Sequence, residues 1–361
     1  MRVGIIGMKH SGKSTLFDCL TRHITKTHER LGETHLGILT ITDDRLEMLQ
    51  KIFNAKKQIH PLFDIIDLPP LAFIKTSVES SVLSKIFEEV KNCDVLIQVV
   101  RQFTNPVVPP ESGAINPLKE KSSLDSELIL MDLIIVENRI NRIERMKNKM
   151  KEAFHPNEPE LLQRCRESLE HETPLSTVTL DAEREKILRG FQLLTLKPRI
   201  TVININESEI PDTSEWESQF DIQFPAQKGL FTALSCRTEQ ELLELTEGEQ
   251  DEFRKELGIE KPAHVRTAER LMDSAHLIRF LTGGENMVQS WIIPAGSNAH
   301  KAAGVVHTDM ERGFIRAEVV TYDDFVRFGG FSDAKEDACL RLEGKEYIVK
   351  EGDVIHFRFN V

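Results

Sequence analysis

The residues with the clearest chemical purpose are a lysine and a serine at the end of a glycine-bounded loop. Gly7-Met8-Lys9-His10-Ser11-Gly12-Lys13-Ser14 has the spacing G-x-x-x-x-G-K-[ST] and is followed by Thr15. In such a loop, backbone N–H groups and the N-terminus of the next helix converge on phosphate oxygens. Lys13 is placed to reach the β- and γ-phosphates, and the Ser14 hydroxyl to ligate Mg²⁺. Both flanks agree. Met1 to Ile6 reads as a short buried strand, and Thr15 to Leu20 opens a helix with apolar residues at 16, 17 and 20. Chance alone yields the bare pattern in roughly one chain in a hundred of this size.

Two further groups complete a site of this kind. An acid on a second strand should join the Mg²⁺ shell, and Asp64 in Leu62-Phe63-Asp64-Ile65-Ile66 is the candidate. A carboxylate in so apolar a run needs a cation or hydrogen bonds to offset its burial. The alternative is an acid that caps the turn after the strand. For the base, guanine-specific sites use N-K-x-D, whereas the strand Arg199–Ile203 ends here in Asn204-Ile205-Asn206-Glu207. Asn is kept, Lys becomes Ile205 and Asp becomes the longer Glu207. The guanine clamp is lost, which favours adenine, so the expected ligand is ATP with Mg²⁺.

These residues need a scaffold. Strand-like runs recur at 36–41, 62–66, 94–100 and 199–205 with helical patterns between them, the signature of a parallel α/β sheet. The alternation stops at about 125–195. There Leu133, Val136, Ile140, Ile143 and Met150 follow the three-four spacing of a long amphipathic or coiled-coil helix. Arg139, Arg142, Arg145, Lys149 and Lys151 share this stretch, as a solvated face or a binding surface. A turn at His155-Pro156-Asn157 leads into helices at 159–171 and 181–195. From about 278 the texture becomes α+β, with strands expected at 291–296 and 346–359. The sequence therefore predicts a nucleotide domain at 1–125 and 196–277, a helical insertion at 126–195, and a small C-terminal domain at 278–361.

The bulk properties set outer bounds. The chain has 361 residues, 40% of them hydrophobic and 29% charged, as a folded water-facing protein does. No run approaches the ~18 apolar residues of a membrane helix, so no membrane partner is expected. The first strand begins at residue 2, leaving no room for a leader peptide. Five scattered cysteines suit a reducing, cytoplasmic setting. A net charge of −12 argues against general affinity for nucleic acid, DNA included, so any contact with RNA must use a local basic face.

At this point the chain is similar to a known family. Asn204-Ile205-Asn206-Glu207 after Thr195-Leu196-Lys197-Pro198, together with residues 291–361, resembles the Obg-like ATPase (YchF) family. The tail segments that carry the resemblance are Ala302–Ile315, Ala317-Glu318-Val319, Tyr322-Asp323-Asp324-Phe325 and Phe357–Val361. It extends collinearly over essentially the whole chain. The resemblance implies a P-loop domain with a helical insertion and a C-terminal, ubiquitin-like TGS domain. It also implies slow ATP hydrolysis as a nucleotide-dependent switch, with the ribosome or ribosomal RNA contacted through the helical and TGS-like parts. A nucleotide-holding module without turnover is the alternative, ahead of a GTPase or a P-loop kinase of small substrates.

Several positions depart from the family pattern. Its Asp-x-x-Gly switch, aligned on Asp64, reads Asp64-Ile65-Ile66-Asp67, which puts Asp67 and Leu68 in the switch and leaves no residue assigned to catalysis. Pro69-Pro70 follows, and no glycine occurs between Gly37 and Gly113. Pro110-Glu111-Ser112-Gly113 stands where the family has a histidine proposed to assist hydrolysis. The first switch, about 22–36, is short, and Thr34 is the nearest counterpart of its metal-binding threonine.

Overall fold

The computed structural model describes residues 1–24, 34–70, 80–109, 113–147 and 155–360. In chain order its strands are β1 (Arg2–Gly7), β2 (His35–Thr40), β3 (Gln58–Ile59), β4 (Leu62–Asp67), β5 (Val95–Arg101), β6 (Arg199–Asn204), β7 (Phe231–Leu234), β8 (Leu277–Gly283), β9 (Val288–Pro294), β10 (Phe314–Thr321), β11 (Arg341–Glu343) and β12 (Asp353–Phe359). They form two six-stranded sheets within two compact units.

The first unit comprises Met1–Ile38 and Asp64–Leu271. Its sheet has the order β2-β4-β1-β5-β6-β7, and β4, β1, β5, β6 and β7 run parallel. Strands β5 and β6 are buried at every residue, as strands covered on both faces must be. Helix α1 (Lys13–Thr21) follows β1 directly, with Leu16, Phe17 and Leu20 turned into the core.

The helical region grows out of this unit. Two short elements precede it: α2 (Arg45–Phe53), which belongs to the second unit, and α3 (Ser80–Lys91). Helix α4 then runs unbroken from Pro117 to Lys147. Leu124, Leu128 and Met131 pack with the sheet core, whereas Val136 and Ile143 join a separate cluster with Leu161, Leu162, Leu169 and Leu188. That cluster is built with α5 (Glu158–Glu170) and α6 (Ala182–Arg189). The boundary expected at 126 thus falls inside one helix, because a single apolar stripe serves both cores in turn. Met150, Lys149 and Lys151 lie outside the described residues. Buried Asp132 on α4 accepts hydrogen bonds from the Leu194 N–H (2.7 Å), the Thr195 N–H (2.8 Å) and the Thr195 hydroxyl (2.7 Å). It thereby fixes the turn that launches β6, the strand that ends in Asn204.

The second unit comprises Leu39–Phe63 and Met272–Val361, which corrects the expected placement of residues 39–63 in the nucleotide domain. The cause is apolar burial. Leu46 and Leu49 of α2 share a core with Leu281, Val288, Val320, Phe325 and Val354. Gly283 admits the Phe53 ring, which a Cβ at that position would meet at 2.2 Å. Buried Asp43 takes a two-pronged bond from Arg45 and another from the Ser290 hydroxyl at 2.8 Å, and its carboxyl is held below the usual range against the cost of burial. The sheet order is β11-β10-β12-β8-β9-β3. The strand expected at 346–359 exists only as β12. Before it, Gly352 takes φ +80° and the Asp353 carboxylate accepts from the Lys350 N–H and the Tyr347 hydroxyl, closing a turn.

Candidate nucleotide site

The site lies at the carboxyl ends of β1, β4, β5, β6 and β7, where open α/β sheets bind ligands. Gly7 ends β1 and Gly12 caps α1. Each glycine is required by a neighbour. A Cβ on Gly7 would meet the Val99 carbonyl oxygen at 2.6 Å, and one on Gly12, whose φ is +94°, would meet Asn204 Nδ2 at 2.1 Å. His10 also takes a positive φ, 62°. Between them Met8, Lys9, His10 and Ser11 form the turn, and Thr15 sits in the first turn of α1. The Lys13 ammonium donates to the loop carbonyls of Met8 (3.0 Å) and Gly7 (3.4 Å). The Ser11 hydroxyl is fully buried and finds no hydrogen-bond partner among the described residues, a donor left for an anion.

Asn204 locks two loops together. Its Nδ2 donates to the Ser11 carbonyl at 3.0 Å, and its Oδ1 accepts the Cys236 N–H at 3.1 Å. Its own carbonyl accepts from the N–H groups of Gln102 (2.8 Å) and Phe103 (2.9 Å). Helix α7 (Thr213–Gln223) precedes β7, after which Ser235 caps helix α8 (Cys236–Leu242). Helix α8 packs on α1: the Cys19 thiol donates to the Cys236 carbonyl (3.2 Å), and Gln240 donates to Asp18 (2.7 Å). Burial holds the Cys19 and Cys236 thiols protonated far above their ordinary range, so they act as packing groups rather than nucleophiles. Beside this junction opens a cavity of about 620 Å³ lined by Gly12, Thr15, Phe103, Ile205, Glu207 and Thr238. Glu207 accepts from the Thr238 hydroxyl at 3.3 Å.

The acid beside the loop is a different one from that expected. The Ser14 hydroxyl donates to Asp67 Oδ2 at 2.6 Å, and Asp67 is 5% exposed at the carboxyl end of β4. Asp64, three residues before it in β4, lies opposite Arg2 in the register with β1 and is exposed. Three residues of strand separate the two acids by roughly 10 Å. The acid that meets Ser14 is therefore Asp67 and not Asp64. Leu68 is buried next to it and spends its N–H on the Ile5 carbonyl at 3.2 Å. Thr34 does not approach the loop either, since its hydroxyl donates to Glu89 on α3. Pro110, Glu111 and Ser112 lie outside the described residues, as do positions 25–33 of the first switch.

Sequence reading placed Asp67 in the switch rather than beside Ser14, and missed Phe103 and the Ser235–Cys236 turn. The signal for Asp67 was present: it is the last residue of the apolar run, and ligands gather at strand ends. Nothing local marks Phe103 as a neighbour of Gly12 or Cys236 as a partner of Asn204.

Glycine-bounded loop, strand-end acid and Asn-headed turn together define a P-loop nucleotide-binding fold. The 50S ribosome-binding GTPase family model matches residues 2–151, and a C-terminal YchF-GTPase model, described as a protein of unknown function (DUF933), matches residues 277–360. A Bacillus subtilis protein named ribosome-binding ATPase YchF is 35% identical over 368 residues, covering 100% of both chains. Its Escherichia coli O157:H7 namesake is 33% identical over 365 residues, covering 100% of this chain and 99% of that one. The chain belongs to the YchF family. A structure titled as the Schizosaccharomyces pombe YchF GTPase shares the fold with a TM-score of 0.80, at 23% identity over 99% of this chain and 97% of that chain.

Proposed function

We propose that this chain is an ATP-binding, ribosome-associated P-loop switch of the cytoplasm that hydrolyses ATP slowly. The observation that carries the nucleotide half is the position of Asn204-Ile205-Asn206-Glu207 beside the loop, with Asn204 bonded to Ser11 and Cys236. In a site with this layout, Gly7 to Thr15 cradle the phosphates and Lys13 neutralises them. Ile205 and Glu207 border the base in place of the Lys and Asp of a guanine clamp. Ser14 and Asp67 are adjacent hard-oxygen donors, the set Mg²⁺ takes together with phosphate oxygens and water. A bound Mg²⁺ would neutralise charge on the phosphates, and Ser14 and Asp67 would orient it.

The partner half rests on the names of the bacterial relatives and on exposed Arg142 and Arg145 of α4. Arg139 is withdrawn from that face: its guanidinium donates to Glu158 at 2.6 Å and lies over the Phe191 ring. No helix among the described residues is long and apolar enough to cross a membrane.

Titration with fluorescent ATP and GTP analogues in the presence of Mg²⁺ tests the first half. ATP should bind at least a few-fold tighter, because a mismatched base leaves buried polar groups unpaired at a cost of ~1–3 kcal/mol. Tighter GTP binding would overturn the reading. For the second half, Arg142→Glu with Arg145→Glu should weaken co-sedimentation with ribosomes and flatten its salt dependence. Unchanged sedimentation at every salt concentration would make those arginines a merely solvated face.

A further inference from the structure

The stretch that leaves β4 has no donor to offer a phosphate. Strand β4 ends at Asp67, the Leu68 N–H is engaged by the Ile5 carbonyl, and Pro69 and Pro70 have no N–H. Because the Ser14 hydroxyl fixes Asp67 as the strand-end acid, an Asp-x-x-Gly switch in this chain reads Asp67-Leu68-Pro69-Pro70. Proline thus occupies the place of the glycine whose N–H would meet the γ-phosphate.

We propose that Pro70 makes this site nearly indifferent to the γ-phosphate, so that ATP and ADP are held with similar affinity. The inference deepens the nucleotide reading above and rests on it. A switch segment responds to a ligand only through contacts that differ between its states. In nucleotide switches that difference is supplied by the γ-phosphate and its Mg²⁺. Here the loop N–H groups, Ser14 and Asp67 serve the α- and β-phosphates and the metal, which both nucleotides carry, and Lys13, shared between the β- and γ-phosphates, grips either nucleotide. The backbone donor that would fix the third phosphate in place is absent from Leu68, Pro69 and Pro70. The two prolines also hold φ near −65° and bias Leu68 and Pro69 toward extended backbone, so a small rotation cannot present another donor from this stretch.

The test uses the full chain with Mg²⁺, titrated with fluorescent ADP and with a non-hydrolysable ATP analogue. Wild type should bind the two within about fivefold of each other. Pro70→Ala restores an N–H while keeping a Cβ, and it should tighten the ATP analogue by about tenfold with ADP nearly unchanged, the worth of one hydrogen bond to a charged group. Pro70→Gly should move the ratio the same way. A wild-type preference for the ATP analogue well above fivefold overturns the proposal, as does a Pro70→Ala ratio equal to wild type. Failure of the site reading itself looks different: wild type and Lys13→Ala would then give the same weak response to both nucleotides.

Discussion

At the proposed base and inner-phosphate end of the site, the loop backbone, Asn204 and the two helices α1 and α8 hold one another. Asn204 joins the loop carbonyl of Ser11 to the backbone of Cys236, Gly12 leaves the space that Asn204 fills, and Cys19 and Gln240 tie α1 to α8. At the outer-phosphate end, Ser14 and Asp67 meet, but beyond them come Pro69 and Pro70, and Thr34 is engaged with Glu89. The first end is a network in which one loss strands its partners; the second is a hydroxyl bonded to a carboxylate, followed by residues 68–70 with no free backbone donor. On the proposed reading, grip on a nucleotide and response to its last phosphate are separable: binding would depend on groups fixed by the sheet ends, and response on a few backbone donors that two prolines remove.

Three comparisons should sharpen or break that contrast. Lys13→Ala should have the largest effect, lowering affinity for ATP and ADP alike by about a hundredfold, since it removes the ammonium that faces the phosphates. Isothermal titration with both nucleotides checks this, and a selective loss of ATP alone would move the discriminating contact to Lys13. Asn204→Ala should come next. It leaves the Cys236 N–H unsatisfied in a buried place and opens a void beside Gly12, so thermal unfolding should report a loss of about 1–3 kcal/mol. Nucleotide affinity should fall with it, by about tenfold, and added nucleotide should recover part of the stability by mass action. Normal stability with normal affinity would mean the network is decorative.

The smallest effect separates the two acids. Asp67→Asn should weaken the dependence of nucleotide binding on Mg²⁺ by several-fold to about tenfold, because a carboxylate is lost beside Ser14. Asp64→Asn, at an exposed position three residues back along β4, should leave that dependence as in wild type. Titrating Mg²⁺ at fixed nucleotide compares them directly, and equal responses from the two variants would remove Asp67 from the metal shell.

Much of this was legible in the chain. The loop, its lysine and serine, and the flanking strand and helix are contiguous, so spacing alone identified them. Strands β1, β4, β5 and β6 were visible as apolar runs because buried parallel strands need them, and β2 was visible as one although most of it is not buried. Asn204 and Glu207 were recognisable because they follow such a run. Pro69 and Pro70 declared a donor-free stretch by residue type, whatever the fold around them.

The tertiary structure decided what depends on which chain ends meet. Asp64 and Asp67 lie three residues apart in one apolar run, and only the parallel pairing of β4 with β1, Arg2 opposite Asp64 and Ile5 opposite Asp67, brings the second to Ser14. Residues 39–63 read as part of the nucleotide domain, but Leu46, Leu49 and Phe53 find their apolar partners more than two hundred positions later. Arg139 looked like one cation in a series until helix α5 put Glu158 against it. Local spacing determines which groups the chain offers, while long-range pairing and burial choose among them, because the free energy of a buried carboxylate or guanidinium is set by the partner it meets and not by its neighbours in sequence.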